Sequence, residues 1–344
     1  MNNRNKMHAA ALDALEHLFK LSANDNILIL TDTYSAAIAG AFKNAAAEKG
    51  CPVSLYQIEN ERRPLQEIPA ELEKLLMGKT IVLNIIRSYL EELVFRIKWI
   101  SKIEENKLVK MGHMPGITEE MMLNSVNVDF TKMKATADKL IEKLENAIQL
   151  HISTDEGTDI LLGVAGRKFT NDIGVTPGNM CNIPCGEIYC APLETEANGV
   201  IVFDASIGDI GLLKQPLKVY VDSGRIVKFE SNDKGLEKRI TELTDVDDEA
   251  RVIGELGIGI NPGARITGNM LEDEKSLGTA HIAFGNNADF VGGGKNNSKI
   301  HRDYLFYYPT IEVYYAEAGQ PSIPTGSGRR TGRKLLMKQG EFVF

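Results

Sequence analysis

The segment from Gly254 to Asp303 has the sequence GELGIGINPGARITGNMLEDEKSLGTAHIAFGNNADFVGGGKNNSKIHRD. Two of the six histidines in the chain lie in this segment, and both are close to acidic residues. His281 follows an acidic cluster at 272–274, and His301 stands two residues before Asp303. Imidazole and carboxylate ligands together suit Zn, Mn, Co or Fe(II). The segment therefore predicts a metal site that several elements of structure assemble.

The spacing of the acidic cluster restricts its geometry. If residues 273–284 form a helix, Glu274 and His281 lie two turns apart on one face. Glu272 then points elsewhere if it continues that helix, although it could act from the loop before the helix. A purely structural interpretation stays open, in which Asp273 and Glu274 stabilise a helix start and His281 is a core histidine.

The acid and the histidine at the two ends of the segment support the metal interpretation. His301 and Asp303 share a face if they lie in a strand, because side chains alternate along a strand. Glu255 belongs to an apolar strand candidate at 251–256. A carboxylate in such a strand cannot be buried unpaired without a large desolvation cost. We therefore expect Glu255 either to meet a cation or to face water.

Length and composition are those of an ordinary soluble globular protein. The 344 residues suffice for two domains or one large one, with 43% hydrophobic and 25% charged residues. A net charge of −8 argues against nucleic-acid binding, and no apolar run reaches the roughly 18 residues of a membrane span. The polar N-terminus is unlike a signal peptide, and the four cysteines lack paired zinc spacing. We expect a cytoplasmic protein with free thiols that binds neither nucleic acid nor membrane.

The pattern of apolar residues predicts an α/β protein. Helical patterns alternate with short apolar strands over residues 6–21, 26–30, 34–49, 53–56, 69–77 and 80–83. This alternation predicts a parallel sheet. Residues 88–150 are mainly helical, with a loop at 111–116, and short strands follow from 151 onwards. We expect an N-terminal parallel α/β domain over 1–130 and a β-rich α/β domain over 131–344 that carries the metal site. A Gly-, Ser- and Pro-rich loop is expected at 321–332.

The segment 254–303 resembles the metal-binding half of the aminopeptidase T family of metallopeptidases. Residues 178–189, GNMCNIPCGEIY, resemble the Asn-Leu-Pro-x-Gly-Glu-Val motif of that family. Residues 154–159 resemble a preceding motif, and the resemblance extends over roughly residues 100–344. It implies a metal-dependent aminopeptidase that acts on small peptides, and a homodimer with the site near an internal cavity.

The resemblance also implies the residues of the site. Two divalent ions, Zn, Co or Mn, would activate water, polarise the scissile carbonyl and bind the free amine of the substrate. The acid of the 272–274 cluster that binds metal stays open. Catalytic roles fall to Glu255 and Glu274, and the implied metal ligands are Glu255, Glu272, Glu274, His281, His301 and Asp303.

Two other functions stay open. A ring-cleaving dioxygenase that acts on dihydroxypyridines resembles a short relative of the same family and uses one Fe(II). His281, His301 and Asp303 would satisfy its facial triad of two histidines and one carboxylate. The remaining alternative is a catalytically silent family member with a structural metal.

Overall fold

The computed structural model describes residues 2–316 and 330–344. These residues form a mixed α/β fold with two compact units. Residues 321–329 of the loop expected at 321–332 lie outside the described residues, and the loop expected for 330–332 is wrong because a strand begins at Arg330. Single 3-10 turns occur at Asn60–Arg62 and Leu90–Glu92. The helices are α1 (Asn3–Phe19), α2 (Ala36–Glu48), α3 (Ala70–Leu75), α4 (Leu93–Glu104), α5 (Glu119–Leu123), α6 (Phe130–Leu144), α7 (Lys234–Thr244) and α8 (Met270–Asp273).

The strands form one parallel and two antiparallel sheets. Among the described residues, no helix has both the length and the apolarity that crossing a membrane requires. The strands are β1 (Ile27–Asp32), β2 (Val53–Ile58), β3 (Ile81–Ile86), β4 (Lys110–Pro115), β5 (Ala147–Ser153), β6 (Asp159–Gly163), β7 (Thr170–Asn171), β8 (Met180–Asn182), β9 (Glu187–Cys190), β10 (Ala197–Phe203), β11 (Ser206–Ile207), β12 (Gly211–Leu212), β13 (Leu217–Asp222), β14 (Arg225–Glu230), β15 (Ile253–Gly259), β16 (Thr279–Gly285), β17 (His301–Tyr307), β18 (Thr310–Ala316), β19 (Arg330–Lys338) and β20 (Glu341–Phe342).

The first unit comprises Met1–Lys134, Asp172–Cys185 and Asn261–Ala264. Its sheet has the order β2-β1-β3-β4-β8, and every neighbouring pair is parallel. β1 and β3 are buried along their whole length, as is typical of parallel strands whose two faces are both covered. The parallel sheet predicted from the alternating pattern is thus confirmed. Two segments of this unit, Asp172–Cys185 and Asn261–Ala264, come later in the sequence than residue 130, where we expected the first domain to end.

The loop expected at 111–116 is wrong, because this segment forms β4. Gly112 and His113 interrupt the apolar pattern, which hides the strand from sequence analysis. Gly112 is needed for packing, since a Cβ there would lie 2.8 Å from Phe19 and 2.9 Å from Leu83. Burial, with a smaller effect of the charge on Arg96, lowers the pKa of His113 to about 4. His113 is therefore a neutral core residue at neutral pH.

The second unit comprises Ala135–Asn171, Gly186–Ile260 and Arg265–Phe344. One of its sheets has the order β14-β13-β10-β6-β5-β18-β19-β20, and the other has the order β12-β11-β17-β16-β15-β9-β7. The expected β-rich α/β character of this part of the chain is confirmed.

The helix considered at 273–284 is wrong. α8 ends at Asp273, and β16 follows from Thr279 after a turn in which Gly278 has a φ of 87°. All seven residues of β16 are buried, so the segment lacks the alternation that identifies a strand. Periodicity does not separate a short buried strand from a buried helical segment. Pairing with β15 and β17 makes this segment a strand.

Candidate metal centre

Six side chains that are able to bind a metal ion come together in the second unit. They form three overlapping groups, in each of which the ligand atoms lie within 4.8 Å of one another. Because the groups share members, they make up one cluster. The groups are Glu187, Glu255 and His281; Glu255, His301 and Asp303; and Glu274, His281 and Asp303.

The register of the antiparallel strands puts five of these side chains on one face of the sheet. Residues that are paired across antiparallel strands point to the same side. His281 of β16 is paired with Gly257 of β15, while Ala283 is paired with both Glu255 of β15 and Asp303 of β17. Glu187 of β9 is paired with Gly259, and His301 of β17 is paired with Gly285. Apart from Leu305 of β17, which is also paired with His281, the residues opposite these five ligands are glycine or alanine and leave room for the ligands to converge.

Glu255 links the two histidines of the cluster. Its side chain is buried, with Oε2 at 2.9 Å from Nε2 of His301 and Oε1 at 3.7 Å from Nε2 of His281. Burial raises the pKa of Glu255, but hydrogen bonds to the two histidines and their charges outweigh burial and lower this pKa to about 2. Glu255 is thus a permanent carboxylate, as expected for an acid that meets cations.

Neighbouring acids raise the pKa of both histidines. Burial opposes the charged form of His281, but the hydrogen bond to Glu255 and the charge of Glu187 raise its pKa to about 9. Burial also opposes the charge on His301, and Asp303 and Glu255 outweigh it, so its pKa lies well above the ordinary value. His281 is fully buried, whereas the side chain of His301 is 29% exposed and opens the cluster to solvent.

The loop after β16 orients His301. Nδ1 of His301 lies 2.7 Å from the carbonyl oxygen of Asn286. A carbonyl oxygen only accepts hydrogen bonds, so Nδ1 carries the hydrogen and donates it. In the neutral ring the lone pair is then on Nε2, which faces Glu255 and Asp303. This is the arrangement by which proteins commonly orient a histidine that binds metal.

The structure separates the three acids of the predicted cluster. Glu274 lies with His281 and Asp303, while Glu272 is buried on α8 and belongs to none of the groups found among the described residues. Asp273 accepts hydrogen bonds from the backbone N–H groups of Thr267 (2.7 Å) and Gly268 (2.9 Å). Asp273 therefore fixes the turn before α8, which is a structural role, but it ends α8 and does not stabilise the start of a helix at 273 as the structural interpretation supposed.

Glu187 is the member of the cluster that sequence analysis did not assign. It begins β9, is 6% exposed, and has Oε2 at 3.4 Å from Nε2 of His281. The available signal was the glutamate of the Gly186-Glu187 motif, which precedes a short apolar strand. Its proximity to His281 depends on the pairing of β9 with β15, which local spacing does not reveal.

The donor set fits a divalent metal ion. Two imidazoles and four carboxylates are the ligand types that such ions bind. Oδ1 of Asp303 is buried and accepts no hydrogen bond from any described residue. Four carboxylates this close repel one another strongly at low dielectric, so the arrangement requires positive charge.

The chain was compared with known protein families and structures. The family model of thermophilic metalloproteases (M29) matches residues 122–342, which include all six residues of the cluster. No curated protein matches significantly. AmpT from Thermus thermophilus has a TM-score of 0.74 and 17% identity, and the match covers 100% of both chains. 2,5-Dihydroxypyridine dioxygenase from Pseudomonas putida has a TM-score of 0.72 and 16% identity, covering 100% of this chain and 98% of that one. At these identities the two structures show a shared fold.

Proposed function

The chain belongs to the thermophilic metalloprotease family, and we propose that it is a metal-dependent aminopeptidase that removes N-terminal residues from small peptides. The observation that carries this proposal is the cluster of two imidazoles and four carboxylates, five of them on one sheet face, within the segment that the family model matches. The fold shared with AmpT, an aminopeptidase T, supports it.

Five of the six residues of the cluster have a role in this proposal. Glu255, His281, His301 and Asp303 would hold the metal, with Nε2 of His301 directed by its bond to Asn286. A bound divalent ion supplies Lewis acidity, which lowers the pKa of water and polarises a carbonyl group. The side chain of His301 is partly exposed, and a peptide would enter the cluster from this side.

Glu274 is the proposed general base. Its side chain is 12% exposed, and it is near His281 and Asp303 at the edge of the cluster. Burial, with the charge of Asp303, raises its pKa despite the opposing effect of Lys275. A raised pKa suits a carboxylate that accepts a proton from water and then donates it to the leaving amine.

Aromatic side chains border the proposed entrance. The ring of Phe290 lies 5.6 Å from the ring of His301 and 5.5 Å from that of Tyr189, centroid to centroid. Tyr189 follows Glu187 by two residues on β9, so both side chains are on the same face. We propose that this pair receives an apolar side chain at the N-terminus of the peptide.

Paired substrates test this function. After metal removal and reconstitution with Co, Zn or Mn, we expect hydrolysis of a leucyl-anilide or an unblocked dipeptide. The N-acetylated analogue should not react, because acetylation removes the amine charge that the carboxylates would bind. Equal hydrolysis of both substrates would reject the aminopeptidase assignment and leave a peptidase of another specificity.

A second candidate function is a mononuclear Fe(II) dioxygenase that cleaves dihydroxypyridine rings. It is favoured by the grouping of Asp303 with His301 and, separately, with His281, and by the fold shared with 2,5-dihydroxypyridine dioxygenase. Anaerobic reconstitution with Fe(II), followed by an oxygen-uptake assay with a dihydroxypyridine, tests it. Oxygen uptake without peptide turnover under any metal would replace the first proposal. Neither activity in a protein that binds metal would leave the catalytically silent alternative.

The resemblance to aminopeptidase T also leads us to propose a homodimer, and the expected free thiols lead us to propose a cytoplasmic location. Light scattering coupled to size-exclusion chromatography tests the assembly at micromolar concentration. A mass of one chain would reject it.

A further inference from the structure

A lysine is buried inside the cluster of acids. Lys275 directly follows Glu274 in the turn between α8 and β16, and its side chain is 1% exposed. Its Nζ contacts the carboxylate of Glu187 and lies 2.6 Å from Oε1 of Glu274. A buried ammonium group is stable only when acids and hydrogen bonds compensate its lost hydration. These two carboxylates provide that compensation.

The sheet has a specific feature that lets this lysine approach. Gly259 of β15 is paired with Glu187 of β9, the acid that Lys275 contacts. A Cβ on Gly259 would lie 2.1 Å from the carbonyl oxygen of Ser276 and 2.8 Å from the carbonyl carbon of Lys275. The turn that carries Lys275 therefore packs directly against Gly259, and the Cβ of any other residue there would clash with this turn. This packing holds the ammonium group beside Glu187.

The lysine contacts two of the three ligand groups. Glu187 belongs to the first group and Glu274 to the third, whereas the group of Glu255, His301 and Asp303 contains neither. His281 shares one group with Glu255 and another with Asp303, so it borders this group, although none of the three groups contains both histidines. Half of the carboxylates in the cluster are thus already paired with a cation that belongs to the protein.

Charge favours a single metal ion. The four carboxylates and the ammonium group carry three net negative charges when both histidines are neutral. One divalent ion leaves one negative charge, while two ions would leave a net positive charge beside a buried ammonium group. Like charges held this close repel one another strongly where the dielectric is low. A second ion would also have to compete with Nζ for the oxygens of Glu187 and Glu274.

We propose that the ammonium group of Lys275 occupies the place of a second cation, and that the centre binds one divalent ion among Glu255, His281, His301 and Asp303. This inference rests on the metal site of the proposed function. It differs from the pair of ions that the resemblance to aminopeptidase T implies. It leaves the choice between peptide hydrolysis and oxygen chemistry to the activity assays.

Metal stoichiometry tests the proposal without any activity measurement. Metal-free protein is titrated with Zn by calorimetry, and bound Zn is counted by elemental analysis after dialysis. We expect about one ion per wild-type chain. In Lys275→Met, which keeps an unbranched side chain one atom shorter and removes its charge, we expect about two. Lys275→Arg keeps the charge and should bind about one. Lys299→Met removes an exposed lysine and should also bind about one.

Each outcome has a defined meaning. Two ions in the wild-type chain would overturn the inference and leave the proposed peptidase intact, and this measurement does not depend on the folding of any variant. One ion in both the wild type and a folded Lys275→Met would also overturn it, because the lysine would not be what excludes the second ion. No bound metal in the wild type would overturn both the inference and the proposed function. Circular dichroism verifies the fold of each variant.

Discussion

Gly257 lies directly opposite His281 in the pairing of β15 with β16, and a Cβ atom on Gly257 would lie 2.0 Å from Nε2 of that histidine. The imidazole therefore occupies the space that the side chain of any other residue type at position 257 would need. This position brings Nε2 to 3.4 Å from Glu187 and 3.7 Å from Glu255. The absence of a side chain on one strand thus positions a proposed ligand on the next.

The first prediction concerns this glycine. Gly257→Ala should displace the imidazole of His281 and lower metal affinity by about 10- to 100-fold, the range typical of residues that orient ligands. Calorimetric titration of metal-free protein measures the change. Gly40→Ala is the matched control, since a Cβ there has no neighbour within 4 Å. An unchanged affinity in Gly257→Ala would contradict the proposed role of His281.

The second prediction concerns the buried pair of Glu187 and Lys275. Glu187→Gln keeps the volume of the side chain but leaves the ammonium group with less compensating charge. We expect the free energy of unfolding of the metal-free protein to fall by about 3 kcal/mol, because one partner of a buried ion pair is removed. Denaturant titration measures it. Glu67→Gln breaks an exposed pair with Lys98 and should change little. Equal effects of the two substitutions would show that the buried pair does not stabilise the fold.

The third prediction separates catalysis from metal binding. Glu274→Gln should lower kcat by about 10²- to 10⁴-fold while the protein still binds metal, because a general base is lost and the other ligands remain. His301→Ala should instead lower metal affinity by orders of magnitude. His17→Ala, which removes an exposed histidine of α1, is the control. Metal loss in Glu274→Gln comparable to that in His301→Ala would make Glu274 a ligand.

The fourth prediction concerns pH. The raised pKa of His281, about 9, means that the metal-free protein holds a proton on this ring at pH 7.5. Only a neutral imidazole binds metal, so metal and proton compete. We expect about one proton or more to be released for each ion bound at pH 7.5. The metal affinity should rise with pH up to about 9, where His281 loses its proton. Calorimetry in buffers of different ionisation enthalpy measures the release. An affinity independent of pH between 6 and 9 would exclude His281 as a ligand.

The sequence by itself determined the fold class and most of the candidate ligands. Apolar strands that alternate with helical patterns are local features, so β1, β2 and β3 and the α/β class follow from short stretches of residues. His301 and Asp303 share a face of β17 because the two-residue repeat of a strand is also local. The residue types at positions 255, 281, 301 and 303 give the chemistry of these candidate ligands directly from the sequence.

Tertiary structure alone decided how these residues meet. Pairing of β9 with β15 brings Glu187 to the site, and pairing of β16 with its neighbours makes the His281 segment a strand. The same packing selects Glu274 from its acidic neighbours and buries Lys275 between two carboxylates. Strand pairing and the burial of charge depend on contacts between residues far apart in the chain, and the spacing of nearby residues carries no record of those contacts.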